Sequence, residues 1–485
     1  MAVSQKQAAE PAAAASPTSL DPQDWSGLRT HGHQMLDDMF DHLESLRQQP
    51  VWQAPPAAAR ARFHAPLPLG PSPLGDVHQQ FLDDILPFSS GNAHPGFMGW
   101  VQGGGTPVGM LAEMLAAGLN ANLGGRNHMA IAVERQIALW MRDLFGFPET
   151  AHGLFLTGAS QANFVAVLLA RHRALSTAPQ APLVAYTSQA AHGCIPRAFD
   201  MAGIGAQHLR RIATDAAGRM DTDALQAAIR QDQKGGLKPF MLIGTAGTVN
   251  TGAIDDLTAL AAIASEHGLY YHIDGALGAL GVCAPELAPL FAGINLSDSL
   301  AFDFHKWGQV PYDAGFLLTH DGAAQKAVFA NEAAYLTRAE HGLAAGDLWP
   351  CDYGPDLSRG FRALKTWFTL KVYGLDALGA SMAANCRLAA GLARRIEAEP
   401  ELEVLAPVSL NIVCFGVRDD ASGALNGRII EALHAAGRVA PSLTLIDGRK
   451  AIRAAIVNHR TTEADIDALI DGVLLFARQL KGPAL

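Results

Sequence analysis

Four short stretches of the sequence combine residue types that can do chemistry. In Phe302-Asp303-Phe304-His305-Lys306-Trp307 a lysine sits among aromatic residues, directly after an apolar run. Desolvation lowers a lysine's pKa, and a neutral amine is a nucleophile suited to a Schiff base with an aldehyde. In Tyr271-His272-Ile273-Asp274-Gly275-Ala276 an acid ends an apolar run and small residues follow. A carboxylate in so apolar a setting needs a cationic partner, because burying it bare is very costly. Ser188-Gln189-Ala190-Ala191-His192 sets a histidine just after the run Leu183–Thr187. An imidazole there can stack on a planar ring or move protons near neutrality. Leu156-Thr157-Gly158-Ala159-Ser160-Gln161-Ala162-Asn163 places small residues ahead of a helix-forming run. The first amides of such a helix can hold a phosphate, with Ser160 adding a hydroxyl. Each stretch also has a plainer reading: a snorkelling surface lysine, an N-cap aspartate, a capping or packing histidine, an ordinary strand-to-helix turn.

The elements that must hold these stretches follow a regular pattern. From about Gly153 onward, short β-like runs alternate with helix-like runs: Gly153–Thr157, Leu183–Thr187, Phe240–Gly244, Leu269–Ile273, Ser299–Phe302 and Gly315–Thr319. Strands separated by helical stretches predict an α/β fold with a largely parallel sheet and helices on both faces. In such sheets ligands sit where strands end and helices begin, which is where all four stretches fall. A helix is expected around Phe361 to Val372; Gly374 then punctuates, and Leu375 to Glu399 reads as one long amphipathic helix. Strands at Asn411–Gly416 and Ala451–Val457, with a closing helix from about Glu463, predict a small α+β domain. Between Asp21 and about Gln80, apolar Met35, Leu36, Met39, Phe40, Leu43 and Leu46 recur at helical spacing in a proline-interrupted docking segment. The expected division is a flexible tail over 1–20, an N-terminal helical segment over 21–90 that clasps a partner subunit, a large domain over 91–373 that holds the ligand site and a small domain over 374–485.

Composition narrows the function classes. Apolar residues make up 49% of the 485 and charged residues 17%, ample for a buried core. The balance of 36 basic against 46 acidic residues, a net −10, argues against nucleic acid or an anionic membrane as main partner. No window reaches ~18 uninterrupted apolar residues, and the best candidate, Val108 to Leu123, carries Glu113. The five cysteines, Cys194, Cys283, Cys351, Cys386 and Cys414, are odd in number, far apart and form no CxxC pair. They predict no disulfide framework, no metal site and a reducing, cytoplasmic compartment.

Taken together, the four stretches supply what pyridoxal phosphate needs: amides for its phosphate, a stacking partner for its ring, a carboxylate for its pyridine nitrogen and a lysine for its aldehyde. Their order and context resemble the group II pyridoxal-phosphate amino acid decarboxylases, the family of aromatic amino acid, glutamate and cysteine sulfinate decarboxylases. The likeness runs from about His94-Pro95 to the C-terminus. It rests on Gly158–Asn163, Ala191-His192, Gly247-Thr248 with Asp255-Asp256, His272–Ala276, His305-Lys306-Trp307, Arg362-Ala363-Leu364-Lys365 and Ile452-Arg453.

The resemblance implies a fold type I, aspartate aminotransferase-like enzyme that decarboxylates an L-amino acid, as a homodimer with active sites at the subunit interface. It makes Lys306 the Schiff-base lysine, Asp274 the pyridinium partner, His192 the stacking residue and Ala276 the contact on the opposite face. Ala159, Ser160 and His305 would meet the phosphate, Thr248 would lie near the ring, and Arg453 would take the substrate carboxylate. Arg126 and His128, together with Trp100, fall where relatives line the substrate pocket, which hints at a polar or acidic substrate side chain; a surface arginine is the plainer reading of Arg126. One departure bears on the outcome. Pro350, beside Trp349, stands where the family's aromatic decarboxylases carry a proton-donating loop tyrosine, and Tyr353 comes three residues later. Tyr353 is either a shifted donor or a packing anchor of the loop from about Asn331 to Ser358. The missing tyrosine leaves a decarboxylating aldehyde synthase that uses oxygen as the alternative to an amine-forming enzyme, with a catalytically silent homologue as a third.

Overall fold

The computed structural model describes residues 19–330 and 337–481. Residues 1–18 of the expected tail and 331–336 of the expected loop lie outside the described residues. The strands in chain order are β1 (Phe97–Met98), β2 (His152–Leu156), β3 (Leu183–Ser188), β4 (Leu209–Ile212), β5 (Lys238–Thr245), β6 (Tyr270–Asp274), β7 (Ser299–Asp303), β8 (Gly315–Thr319), β9 (Leu402–Val404), β10 (Ile412–Val417), β11 (Ala440–Ile446) and β12 (Arg449–Ala455). Every strand expected from the alternating pattern is present close to its expected bounds. The short edge strand β4 and strands β1, β9 and β11 were not foreseen.

Seven strands form one sheet in the order β2-β8-β7-β6-β5-β3-β4. From β7 to β4 all neighbours are parallel. Strands β3, β6 and β7 are buried at every residue, as a sheet covered by helices on both faces requires. The helix Ala159–Thr177, which follows β2, covers one face of the sheet and buries Ala162, Val165, Ala166, Val167 and Leu169. Strand β8 runs antiparallel between β2 and β7. Strands β2 and β7 therefore point the same way, and the chain leaving each of them emerges at one edge. The contact there is so close that a Cβ on Gly315, the first residue of β8, would stand 2.2 Å from Gly158 Cα.

The C-terminal sheet has the order β1-β11-β12-β10-β9. Its core joins Val413, Phe415, Ile429, Ile452 and Ile466 to Leu392 of the long preceding helix. Strand β11 escaped notice because its outer end alternates with exposed Leu443 and Leu445. Strand β1 pairs in parallel with it, Phe97 opposite Ala440. Residues soon after 91 thus join the C-terminal sheet, across the boundary expected at 373. Asn458 Nδ2 reinforces this by donating to the carbonyls of Asn92, Ala93 and His94. No helix among the described residues is long and apolar enough to cross a membrane.

The helix Arg362–Ala398 breaks direction at Gly374, where φ is 75° and ψ 163°. That backbone region is essentially closed to residues with a Cβ. A Cβ at Gly374 would meet nothing within 4 Å, so the cost of adding one is backbone strain alone. Gly374→Ala should lower stability by about 1–3 kcal/mol, read as a reduced thermal midpoint of unfolding. An unchanged midpoint would mean that the kink does not depend on glycine.

Candidate active site

Strand β7 ends at Asp303, and the chain turns at once through His305 and Lys306. The aromatic residues around the turn hold its base. Phe302 and Phe304 pack edge-on with ring centroids 5.1 Å apart, and Phe304 stacks on Phe155 of β2. Trp307, fully buried, donates from Nε1 to Asn385 Oδ1 at 3.0 Å. On the other side Gly103 donates to the His305 carbonyl at 3.2 Å; a Cβ there would stand 2.4 Å from the Lys306 carbonyl oxygen. The turn is thereby clamped on several sides with the Lys306 side chain left facing a cavity of about 510 Å³.

Lys306 Nζ lies 2.8 Å from Asp303 Oδ2. Burial pulls the lysine pKa down, but the charge and hydrogen bond of Asp303, aided by the charge of Asp274, outweigh it and hold the ammonium above its ordinary value. Asp303 also accepts from the Ala159 amide at 2.7 Å, and its Oδ2 is 3.7 Å from His305 Nε2. His305 Nδ1 accepts from the Ala314 amide at 3.0 Å, so its remaining nitrogen faces the carboxylate.

Asp274 ends β6, buried, with Oδ1 accepting from the Ala276 amide at 3.1 Å. Burial lifts its carboxyl above the usual range against the opposing charge of Lys306 and the Ala276 amide. His192 Nδ1 accepts from the Cys194 amide at 3.2 Å, which leaves Nε2 to carry the proton of the neutral ring. Burial keeps the His192 pKa below its ordinary value. Behind Asp274 runs a buried chain of polar groups. Asn163 Nδ2 donates to Cys194 Sγ at 3.3 Å and Oδ1 meets His272 Nε2 at 2.7 Å, while His272 Nδ1 meets Ser299 Oγ at 2.8 Å. Burial pushes the His272 pKa down to about 3, so the ring is neutral. The Ser299 carbonyl lies 3.1 Å from the same Nδ1, so the ring is held between Asn163 on one side and both oxygens of Ser299 on the other.

Ala159, Ser160, His192, Asp274, Ala276, His305, Lys306 and Trp100 all line the cavity. The other expected site residues lie outside that lining. The Thr248 hydroxyl is committed within its own turn, to Thr251 Oγ1 and the Ala253 amide. Thr245, at the end of β5, lines the cavity instead. Arg453 is buried and gives its guanidinium to the carbonyls of Val249, Asn250 and Trp100 and to Ser442 Oγ. Arg126 lies over the Trp349 ring at 4.3 Å, and His128 Nε2 meets the Asn122 carbonyl at 3.2 Å. Tyr353 stacks on His152 with ring centroids 3.7 Å apart, an anchoring contact away from Lys306. Asp303, Asn163 and Thr245 also line the cavity and are positions that sequence reasoning did not single out. The Asp303 position, three residues before Lys306 at a strand end, was the available signal.

This donor set fits pyridoxal phosphate: an amine, a buried carboxylate, an imidazole and the start of a helix converge on one cavity. Thr245 Oγ1, buried in its wall, has no hydrogen-bond partner among the described residues. Among those residues no group of three or more His, Cys, Asp or Glu side chains is arranged to hold a metal ion.

The fold is that of the fold type I pyridoxal-phosphate enzymes. The chain matches the crystal structure of Oryza sativa TDC with PLP and tryptamine at a TM-score of 0.89 and 21% identity, over 95% of this chain and 100% of that one. Residues 56–418 match the pyridoxal-dependent decarboxylase conserved domain, and the chain belongs to that family, the group II pyridoxal-phosphate amino acid decarboxylases. It is 29% identical over 450 residues to an aromatic-L-amino-acid decarboxylase of Bacillus atrophaeus, covering 90% of this chain and 93% of that protein. It is 27% identical over 469 residues to a phenylacetaldehyde synthase of Arabidopsis thaliana, covering 92% and 95%. The protein is therefore a lyase that uses pyridoxal phosphate to remove the carboxyl group of an amino acid.

The polar chain behind Asp274 yields a prediction. Asn163→Leu keeps the branched shape but takes the amide away from His272 Nε2 and Cys194 Sγ. It should cost about 1–3 kcal/mol, seen as a lower urea midpoint at unchanged slope. An unchanged midpoint would show that the chain adds no stability.

Proposed function

We propose that the protein converts an L-amino acid with an aromatic or apolar side chain to its amine and carbon dioxide, with Lys306 as the residue that carries the cofactor. The observation behind this reading is the convergence of Lys306, Asp274 and His192 on one cavity that is also lined by Trp100, Val101, Val249, Leu277 and Tyr312, with Gln102 as a neutral polar neighbour. No arginine lines that cavity among the described residues, which disfavours an acidic substrate side chain. Trp100 stands at the mouth, 60% exposed, as an apolar surface for the substrate.

Pyridoxal phosphate supplies, when bound, the electron sink for the pair left as carbon dioxide departs. In this reading Asp274 answers a protonated pyridine nitrogen with its carboxylate and keeps that sink open. His192 offers a neutral ring face for stacking, and Ala276 leaves room on the other side. Ala159, Ser160 and His305 hold the phosphate, and Thr245 takes the place expected for Thr248. Arg453 acts at one remove, fixing the carbonyls of Trp100 and Val249, two residues of the cavity wall. Lys306, His192 and Tyr312 are cavity groups able to deliver a proton to the substrate α-carbon, so amine formation does not need Tyr353.

The test is a product screen of the full-length protein across the twenty amino acids by mass spectrometry, with and without oxygen. Amine and carbon dioxide from an aromatic or apolar substrate, independent of oxygen, is the expected result. Lys306→Ala should lose both the visible absorbance of the bound cofactor and the product. Aldehyde formed with consumption of oxygen would replace the amine reading by the aldehyde synthase. An amine formed from aspartate or glutamate would overturn the side-chain reading, and no product from any amino acid would favour the silent homologue.

The same reading makes the protein a cytoplasmic homodimer. Its cysteines are all free, in keeping with a reducing compartment. None of the residues of the helix Trp25–Glu44 is buried, and Trp25 is 61% exposed, with Leu28, Met35, Leu67 and Leu69 also exposed. So much apolar surface on a segment with little core of its own calls for a second subunit. Deleting residues 21–90 should give monomers or aggregates in light scattering; a stable, active monomer would refute the clasp.

A further inference from the structure

Asp303 contacts three of the groups assigned above to the cofactor. Its carboxylate is 3% exposed, accepts from the Ala159 amide at 2.7 Å, and lies 2.8 Å from Lys306 Nζ and 3.7 Å from His305 Nε2. The Ala159 amide is the first of the helix Ala159–Thr177, where the helix dipole and free N–H groups favour an anion. Asp303 and a phosphate oxygen therefore compete for one donor.

We propose that Asp303 governs cofactor loading, as the anion that holds this amide and as the base that takes the proton Lys306 must lose. The inference rests on the reading that Lys306 carries the cofactor. An ammonium has no lone pair with which to attack an aldehyde, and the paired carboxylates keep Lys306 in that form. A phosphate arriving at the Ala159 amide brings negative charge beside Asp303, and a like charge raises a carboxylate's affinity for a proton. The proton then passes from Nζ to Oδ2. The nitrogen lone pair forms a bond to the aldehyde carbon. The two protons left on nitrogen go to the aldehyde oxygen, the carbon–oxygen bond breaks, water leaves, and a carbon–nitrogen double bond remains. Asp303, now neutral, no longer repels the phosphate and can donate a hydrogen bond to it. One proton transfer thus activates the nucleophile and opens the anion site.

The experiment uses the full-length chain freed of cofactor and measures two quantities. Affinity for inorganic phosphate is read by calorimetry, and the rate at which the visible band appears on mixing with pyridoxal phosphate is read by stopped flow. Asp303→Asn should bind phosphate about tenfold tighter, because one like charge beside the anion is gone. The same variant should form the band about 100-fold more slowly, because the base is gone. An aspartate that only stabilised the fold would move both quantities in the same unfavourable direction or neither, and either result overturns the proposal. Because Asp303→Asn leaves a buried ammonium without its partner, a folding failure is covered by comparing Lys306→Ala with Lys306→Ala/Asp303→Asn. The double variant should bind phosphate about tenfold tighter than the single one; equal or weaker binding overturns the proposal. If Lys306→Ala still forms the visible band, the carrier assignment falls and this inference with it. If that band is lost while Asp303→Asn changes neither quantity, only the role of Asp303 falls.

Discussion

Two carboxylates and one ammonium share a buried edge of the parallel sheet, and the architecture around them follows from keeping those charges together. Isolated, each would be expelled from so apolar a setting or neutralised. Asp274 ends β6 and Asp303 ends the neighbouring strand β7. Parallel pairing sets the two ends side by side, and the sharp turn after β7 returns Lys306 between them. The reversal of β8 adds the third component, because it lets β2 end at the same edge and delivers the Ala159 amide to Asp303 across 144 positions of sequence.

Around this charged edge the polar groups divide by distance from the chemistry. Arg453, on β12 of the C-terminal sheet, reaches the carbonyls of Trp100 and Val249 and so sets the cavity wall without entering it. Arg359 acts similarly below the sheet, bridging the Glu134 carboxylate at 2.7 Å and the Leu123 carbonyl at 3.0 Å. Residues 338–349 of the long loop are fixed by another kind of contact, the Trp349 ring between Arg126 at 4.3 Å and Arg338 at 5.0 Å. Residues that look available for ligands in the sequence are, in these cases, the pins that hold domains and loops in place.

Much of the large sheet was legible because each strand is a short apolar run bounded by small or polar residues, as Leu183–Ser188 and Gly315–Thr319 are. The lysine, aspartate and histidine of the site were legible for the same reason: they sit where those runs stop. Interactions across sequence were not. Nothing in the neighbourhood of Asn163 announces His272, 109 residues away. Asp303 read as one more residue of an aromatic strand until its partners were in view. Arg453 stands at a position that resemblance linked to a substrate carboxylate, yet whether a guanidinium is free depends on the carbonyls folded around it. The two residues of β1 are too few to carry a period, and β11 alternates only where it is half-exposed.

The contact between Gly315 and Gly158 gives the protein an uneven tolerance to evolutionary drift. A side chain at Gly315 would press on the backbone of the turn that leads into Ala159, shifting the amide that meets Asp303. Gly360, by contrast, has nothing within 4 Å of where a Cβ would stand and can vary freely in shape. The seam between β8 and the β2 turn has no room for a side chain, so a substitution there reaches the charged edge through the backbone alone.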